Sequence, residues 1–264
     1  MLNKIVAQTR QAVAVSRQVR SLEDIRGNLV PGSFAFSAAI RQCDWTLIAE
    51  CKLASPAKGT LCSVYSVPEL AAIFAANGAT ALSVHTNACF RGSMNDIAKV
   101  KAIVTLPVLC KEFIIDAYQL YAAREAGADA VLLIAAILSD AELKQFLQIA
   151  HDLGMDCLVE VHTLEELIRV QRTGAGLIGI NNRDLQTFTT NIQQTFNLLP
   201  YCEPDRLIVS ESGIKAGQDA ARLKSAGVCG ILVGEGLVTA HDIAAKTREL
   251  VLGGIQQERR CQNV

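Results

Sequence analysis

Six apolar runs in this sequence stop abruptly at groups that can move protons or hold anions. They end at Glu50-Cys-Lys52, Lys111-Glu112-Phe113, Glu160-Val-His162, Asn181-Asn-Arg183, Glu211-Ser212-Gly213 and Gly234-Glu235-Gly236. An ammonium beside a carboxylate sets an acid next to a base, and each tunes the other's proton affinity. Gly-containing turns leave backbone amides bare, and amides at a helix start cradle an anion such as phosphate. A single Lys or Glu in such a place is usually a solvated loop residue. Recurrence at nearly every run's end is different: charges drawn out of water must be paired or they cost on the order of several kcal/mol. Groups held at that cost are commonly catalytic.

These groups need elements to present them. Five segments run from a helical stretch through a glycine straight into an apolar run, at Gly78, Gly127, Gly154, Gly174 and Gly227. Glycine just past a helix supplies the left-handed residue that ends it. Helix starts agree: Ser66-Val-Pro-Glu69, Ser139-Asp-Ala-Glu142 and Thr163-Leu-Glu-Glu166 are capping boxes. The patterns predict helices near 66–77, 117–126, 139–153, 163–173, 190–199, 216–226 and 240–252, and a helix over 2–27. Strands are expected at 46–50, 79–84, 106–111, 130–134, 156–160, 176–181, 207–211 and 229–234, their starts 20 to 33 residues apart. Several are apolar on both faces, as parallel strands covered by helices are.

Eight strands alternating with helices at this spacing predict an α/β fold, a (β/α)8 TIM barrel. An open doubly wound sheet usually has fewer equal repeats and an early G-x-G-x-x-G, which this sequence lacks. The 264 residues are expected to form one domain (1–264), with 1–45 as a helical extension packed on the barrel. In such a barrel the active site lies at the C-terminal strand ends, where the polar groups collect. Along a strand, side chains alternate faces, so Glu50 and Lys52 share a face, as do Asn181 and Arg183. The loops after strands 7 and 8 are the fold's recurrent phosphate site, and both carry Gly turns here.

Composition narrows the function. Half the residues are apolar, 25 Lys and Arg stand against 26 Asp and Glu, and the net charge is -1. That balance argues against nucleic-acid binding driven by phosphate neutralisation. The longest strongly apolar stretch, Val131 to Leu138, is far short of the roughly 20 residues of a membrane span. The first 20 residues are Arg-rich and acid-free, as transit peptides are, but read better as an amphipathic helix. Nine scattered cysteines with no C-x-x-C pair suggest reduced core residues in a cytoplasmic protein. The four histidines do not cluster with them, so no metal site is expected.

The motifs resemble the indole-3-glycerol phosphate synthase family. They are Ile48-Ala-Glu-Cys-Lys52-Leu-Ala-Ser55-Pro56-Ala-Lys-Gly59, Leu82-Ser-Val-His-Thr86 with Phe90-Arg-Gly92-Ser93, and Leu106-Pro-Val-Leu-Cys-Lys111-Glu-Phe113-Ile-Ile-Asp116. Gly127-Ala-Asp-Ala-Val-Leu-Leu-Ile134, Leu158-Val-Glu160-Val-His162, Ile178-Gly-Ile-Asn181-Asn-Arg183-Asp-Leu185 and Val209-Ser-Glu211-Ser212-Gly213-Ile214 follow in order. The resemblance implies closure of the indole ring of 1-(2-carboxyphenylamino)-1-deoxyribulose 5-phosphate, with loss of carbon dioxide and water and with no cofactor or metal needed.

It further implies that Lys111 is the general acid and Glu160 a base or hydroxyl-orienting carboxylate. Lys52 would be a second acid or an anion contact, and Glu50 would tune the lysines. Asn181 and Arg183 would position substrate, and Glu211 would hold hydroxyls. Ser55, Ser212, Gly213, Gly234 and the Glu235 backbone would hold phosphate, and Phe90 and Phe113 would wall the aromatic ring. A monomer or weak homodimer acting on a phosphorylated small molecule is expected. The chain departs from the family pattern at His85, Asn87, Glu112, Leu53-Ala54 and Gly236. A non-catalytic or specialised-pathway paralogue binding a related sugar phosphate is the alternative, although such a protein tends to lose Lys111, Glu160 or Lys52, all present here.

Overall fold

The computed structural model describes residues 2–27, 29–184 and 189–255. Eight parallel strands close into a barrel: β1 (Thr46–Cys51), β2 (Ala81–His85), β3 (Val108–Lys111), β4 (Ala130–Ile134), β5 (Asp156–Val161), β6 (Leu177–Asn181), β7 (Leu207–Glu211) and β8 (Gly230–Val233). Each pairs with its sequence neighbours, and β1 pairs with β8 to close the ring. Helices alternate with the strands: α4 (Val67–Ala76), α5 (Met94–Lys101), α6 (Ala117–Glu125), α7 (Asp140–Asp152), α8 (Leu164–Gln171), α9 (Gln193–Leu198), α10 (Gly217–Ser225), α11 (Glu235–Val238) and α12 (Ile243–Ile255). Before β1 come α1 (Leu2–Val19), α2 (Leu22–Arg26) and α3 (Ala35–Arg41).

The local signals act as the sequence suggests. Gly78, Gly127, Gly154, Gly174 and Gly227 all have positive φ. The three expected capping boxes form, at Ser66–Glu69, Ser139–Glu142 and Thr163–Glu166. All eight strands fall on the expected runs, with ends shifted by one or two residues. Strand β3 begins at Val108, after Pro107, which has no N–H to give the ladder.

Other expectations need correction. The single helix over 2–27 is two, because Ser21 forms a capping box with Asp24 and starts α2. An acidic Asp at N3 does there what Glu does in the usual pattern. Helix α5 was not expected, nor was a two-residue hairpin pairing Ala54–Ser55 with Gly59–Thr60 just after β1. Helix α9 starts at Gln193 rather than 190, because Thr190 bridges back to Arg183.

The strands are buried on both faces. Outward side chains pack against the helix ring in one large apolar cluster. Inward ones, among them Ile48, Leu109, Leu132, Leu158 and Val209, form a second cluster that includes Phe36 and Ile40 of α3. Helix α3 thus plugs the bottom of the barrel, held by Ser37 N–H donating to Asp156 at the start of β5 (2.8 Å). Helix α1 buries Ile5, Thr9 and Val13, one stripe at four-residue spacing, and leaves Val15 and Val19 exposed. Arg17 pairs with Asp116 (2.6 Å), Arg20 pairs with Glu125, and the Tyr118 hydroxyl donates to the Ser16 and Arg20 carbonyls. Among the described residues the cysteines are free, and burial pushes the Cys110 thiol up to about 12. No described helix is long and apolar enough to cross a membrane.

The approach to α3 depends on two glycines. Gly32 N–H donates to Leu153 O (2.8 Å), and Phe34 N–H donates to Gly154 O (3.1 Å). Gly154 has φ 65°, and a Cβ there would overlap the Gly32 backbone. Gly154→Ala is therefore expected to destabilise the protein by about 1–3 kcal/mol in urea unfolding. Gly174→Ala, also at positive φ but facing open space, is expected to cost clearly less.

Candidate active site

The register carries the polar strand ends to one level. His85 lies opposite Lys111, Ile134 opposite Glu160, and Asn181 opposite Glu211. They surround a cavity of about 220 Å³ at the C-terminal mouth. All fourteen residues singled out in the sequence as catalytic or substrate-binding line it.

Lys111, at the end of β3, is the centre of the charge arrangement. Its Nζ donates to Glu211 Oε2 at 2.6 Å and lies 3.5 Å from Glu160 Oε2. Burial would lower its proton affinity, but Glu211, Glu160 and Glu50 outweigh burial and raise it above the ordinary lysine value. Burial pushes Glu211 the other way from a normal carboxylate, up to about 7, against the attraction of Lys111 and with the help of repulsion from Glu160. The ammonium thus keeps its proton through the neutral range, and it is the Glu211 carboxyl that changes charge there. Glu211 is 1% exposed and needs space from its neighbour on β6: a Cβ at Gly179 would land on its carboxylate.

A second charged pair sits across the mouth. Glu50 Oε2 is 3.6 Å from Lys52 Nζ, both on the inward side of the β1 end. Burial tends to raise the Glu50 carboxyl, but Lys52 first, then His85, hold it well below the carboxylate range. Gly234 makes room here, since a Cβ at that position would strike the Glu50 carboxylate. Lys52 Nζ also lies 5.2 Å from the Phe90 ring centroid. Phe90 and Phe113 are 6.3 Å apart between centroids and form an aromatic wall.

The phosphate-type turns follow β7 and β8, which are adjacent. Ser212 and Gly213 both have positive φ, 65° and 78°, and form a tight turn after Glu211. Asn182 fastens it: its Nδ2 donates to Ser212 O (3.0 Å) and Ser210 Oγ (2.9 Å), while its Oδ1 accepts from Thr195 N–H and Oγ1. Of the pair Asn181–Asn182, the second is thus a buried staple. Asn181 Oδ1 accepts from Arg183 N–H (3.0 Å) and sets the turn that carries Arg183 to the mouth. Glu235, expected to act through its backbone, also uses its side chain, pairing with Lys58 at 2.5 Å and lying 3.9 Å from Arg183. The Ser55 hydroxyl accepts from Lys58 N–H within the short hairpin.

Sequence reasoning missed several groups. His85 is buried, with Nε2 3.0 Å from Glu50 Oε1. His162 lies 3.4 Å from Glu160 Oε1 and 3.6 Å from Glu166; burial opposes its protonation, but Glu166 and Glu160 outweigh burial and raise its proton affinity. Glu112 accepts from Thr86 Oγ1 (2.8 Å), Asn87 Nδ2 (2.7 Å) and Phe113 N–H (2.9 Å), joining β2 to β3. Leu2 and Ile5 of α1 line the cavity, and Asn87 Nδ2 also donates to Thr9 of α1 (3.2 Å). Only the alternation of charge and apolar residues in α1 hinted at this, and it gave no direction. Among the described residues no three His, Cys, Asp or Glu side chains gather as metal ligands.

A closed barrel with paired glycine turns after β7 and β8 and buried ammonium–carboxylate pairs at the mouth defines a class: barrel enzymes that work on phosphorylated small molecules by acid–base chemistry. The particular family follows from comparison. A family model described as indole-3-glycerol phosphate synthase matches residues 2–250. A protein of that name from Desulforamulus reducens is 52% identical over 82% of this chain and 83% of its own length. Another, from Roseiflexus castenholzii, is 44% identical over 95% of this chain and 97% of its own. The fold is similar to that of 3-hexulose-6-phosphate synthase from Salmonella typhimurium (TM-score 0.66, 17% identity, 80% of this chain and 99% of that one). The chain belongs to the indole-3-glycerol phosphate synthase family.

Because Glu50 gives up its proton more readily in the native state than its ordinary value of 4.5 allows, the native state binds fewer protons there than the unfolded chain. The stability linked to Glu50 is therefore fully present above the unfolded value and is lost as pH falls towards the depressed native one. Wild type should exceed Glu50→Gln in urea-unfolding free energy by more at about pH 6 than at about pH 3.5. A difference that does not change with pH would contradict the assignment.

Proposed function

We propose that this protein is an indole-3-glycerol phosphate synthase in which Lys111 is the proton donor for ring closure. The supporting observation is the buried Lys111 ammonium held between Glu211 and Glu160, facing a second Lys–Glu pair across a phosphate-type mouth. The substrate is 1-(2-carboxyphenylamino)-1-deoxyribulose 5-phosphate. Its phosphate lies in the turns at Ser212–Gly213 and Gly234–Glu235, with Ser55 closing from the β1 side. Its aromatic ring lies against Phe90 and Phe113, near Lys52. Arg183, placed by Asn181, holds the chain between these two ends.

In the first step the ring carbon bearing the carboxylate attacks the ketone carbon. Negative charge gathers on the ketone oxygen, and Lys111 donates a proton to it, giving a hydroxyl. The developing alkoxide is far more basic than an amine, so the transfer runs downhill even from an ammonium whose proton affinity has been raised. Carbon dioxide then leaves with its bonding electrons left in the ring. In the last step the new hydroxyl departs as water, taking a proton from Lys52, while Glu160 removes the proton whose loss completes the indole double bond. Glu50 holds the Lys52 ammonium in place for that step, and Glu211 keeps Lys111 loaded and orients substrate hydroxyls. One carbon dioxide and one water leave per turnover. A sugar-phosphate binder without catalysis has no use for three buried carboxylates around two ammonium groups, whose desolvation lowers stability.

Lys111→Arg tests the donor role. Arginine keeps the charge, so Glu160 and Glu211 stay paired and the fold survives, but guanidinium holds its proton too tightly to give it up. Turnover, followed by indole fluorescence, is expected to fall about 10²–10⁴-fold with binding of a non-reactive substrate analogue retained. Turnover near the wild-type value in that variant would refute Lys111 as the acid.

A further inference from the structure

One buried titratable side chain at the mouth has no part in the steps above. His85 is the last residue of β2 and is 6% exposed. Its Nε2 lies 3.0 Å from Glu50 Oε1, at ion-pair distance but poorly aligned for a hydrogen bond. The other Glu50 oxygen faces Lys52 at 3.6 Å. The imidazole is stacked on Phe90, with centroids 4.2 Å apart and planes 8° from parallel. Lys52 Nζ stands over that same Phe90 ring at 5.2 Å.

These contacts close a circuit. His85 touches Glu50 and Phe90, and Lys52 touches the same two. The Lys52 ammonium, which could otherwise sweep through several rotamers, is held from one side by a carboxylate and from the other by a ring face. Both of those are fixed in turn by one imidazole. The backbone is shaped for the stack. Asn87 O accepts from Phe90 N–H and Gly92 N–H, Arg91 takes a left-handed φ of 57°, and a Cβ at Gly92 would overlap the His85 carbonyl. The turn after β2 thus folds Phe90 back onto His85.

We propose that His85 is a positioning residue for the ring closure, packing against the Glu50 carboxylate and stacking on one face of Phe90 so that Lys52 and the aromatic wall meet the substrate in a single arrangement. The inference rests on the ring-closing reading and adds a residue to it. The charged groups facing the imidazole are Glu50 and Lys52 from β1 and the segment after it, and Lys111 from β3. Burial, assisted by the two lysines, lowers the proton affinity of His85 against the pull of Glu50, so the ring is neutral at neutral pH. When acid protonates it, a second cation competes with Lys52 for Glu50 and the arrangement loosens. An acid limb in turnover is the result.

The test uses the full chain, the carboxyphenylamino-deoxyribulose phosphate, and kcat and KM measured from about pH 4.5 to about 8.5, so that the region below the ordinary histidine value is covered. His85→Phe keeps the stack and removes the nitrogens. It is expected to lower kcat about tenfold or more, to change KM less than kcat, and to lose the part of the acid limb that lies below the ordinary histidine value of 6.5, while the part set by Glu211 near 7 remains. His85→Gln keeps a polar contact to Glu50 and should recover part of kcat, also without the lower part of the limb. Wild-type kcat and an unchanged acid limb in both variants would overturn the inference and leave His85 as packing. Should His85→Phe fail to fold, an unchanged acid limb in His85→Gln alone would overturn it. A wild-type protein that does not turn over the substrate at all would overturn the ring-closing reading, and the inference with it.

Discussion

A lysine ammonium buried in a protein interior must be neutralised, and much of this barrel's upper half follows from that need. Lys111 is answered by Glu211 at 2.6 Å and Glu160 at 3.5 Å, on strands β7 and β5. Burial, helped by repulsion from Glu160, holds Glu211 up to about 7 against the pull of Lys111. Rigid strands make such an arrangement affordable to hold, since the groups cannot drift apart to relieve repulsion. Space has to be cleared as well. Gly179 on β6 leaves room for the Glu211 carboxylate, and Gly234 after β8 leaves room for Glu50. Two glycines that look like ordinary strand and turn residues are thus dictated by charges on neighbouring strands.

The barrel is polar at one end only. Its lower interior is closed by apolar side chains and by Phe36 and Ile40 of α3, while the charged groups gather at the opposite mouth. The segment before β1 serves both ends. Helix α3 fills the bottom, and α1 reaches the top, where Leu2 and Ile5 line the cavity and Thr9 accepts from Asn87. Asn87 is bonded to Glu112, and Glu112 to the Phe113 amide, so α1 is tied through three residues to the aromatic wall. Movement of α1 therefore bears on the ring pocket.

The barrel was legible because its signals are local and repeated. Glycine ends, capping boxes and apolar runs each need only a few neighbouring residues, and they recur at βα spacing. The strand-end residues were legible for the same reason, since one fold rule carries all of them to one mouth. What was not legible depended on contacts between distant segments. His85 sits in an apolar run whose side-chain direction only the register with β3 decides. Asn181 and Asn182 are identical in type, and only the fold separates a mouth residue from a staple to Ser210 and Ser212. The break at Ser21 was a local signal of the same kind as the others, but with Asp in place of Glu. Helix α5 has a weaker start: Ser93 caps the Asn95 amide, and Asp96 at the third position, again Asp in place of Glu, pairs with Lys99 instead of closing a box.

The account turns on Lys111 being a tightly held ammonium coupled to a carboxylate that titrates near neutrality. The direct measurement is the pH titration of Lys111 by ¹⁵Nζ and ¹³Cε chemical shifts, assigned against Lys111→Arg. The account predicts that Lys111 stays protonated beyond the ordinary lysine value of about 10.4, with a small step near pH 7 as Glu211 changes charge. Deprotonation at or below the ordinary value, with no step near neutrality, would contradict it.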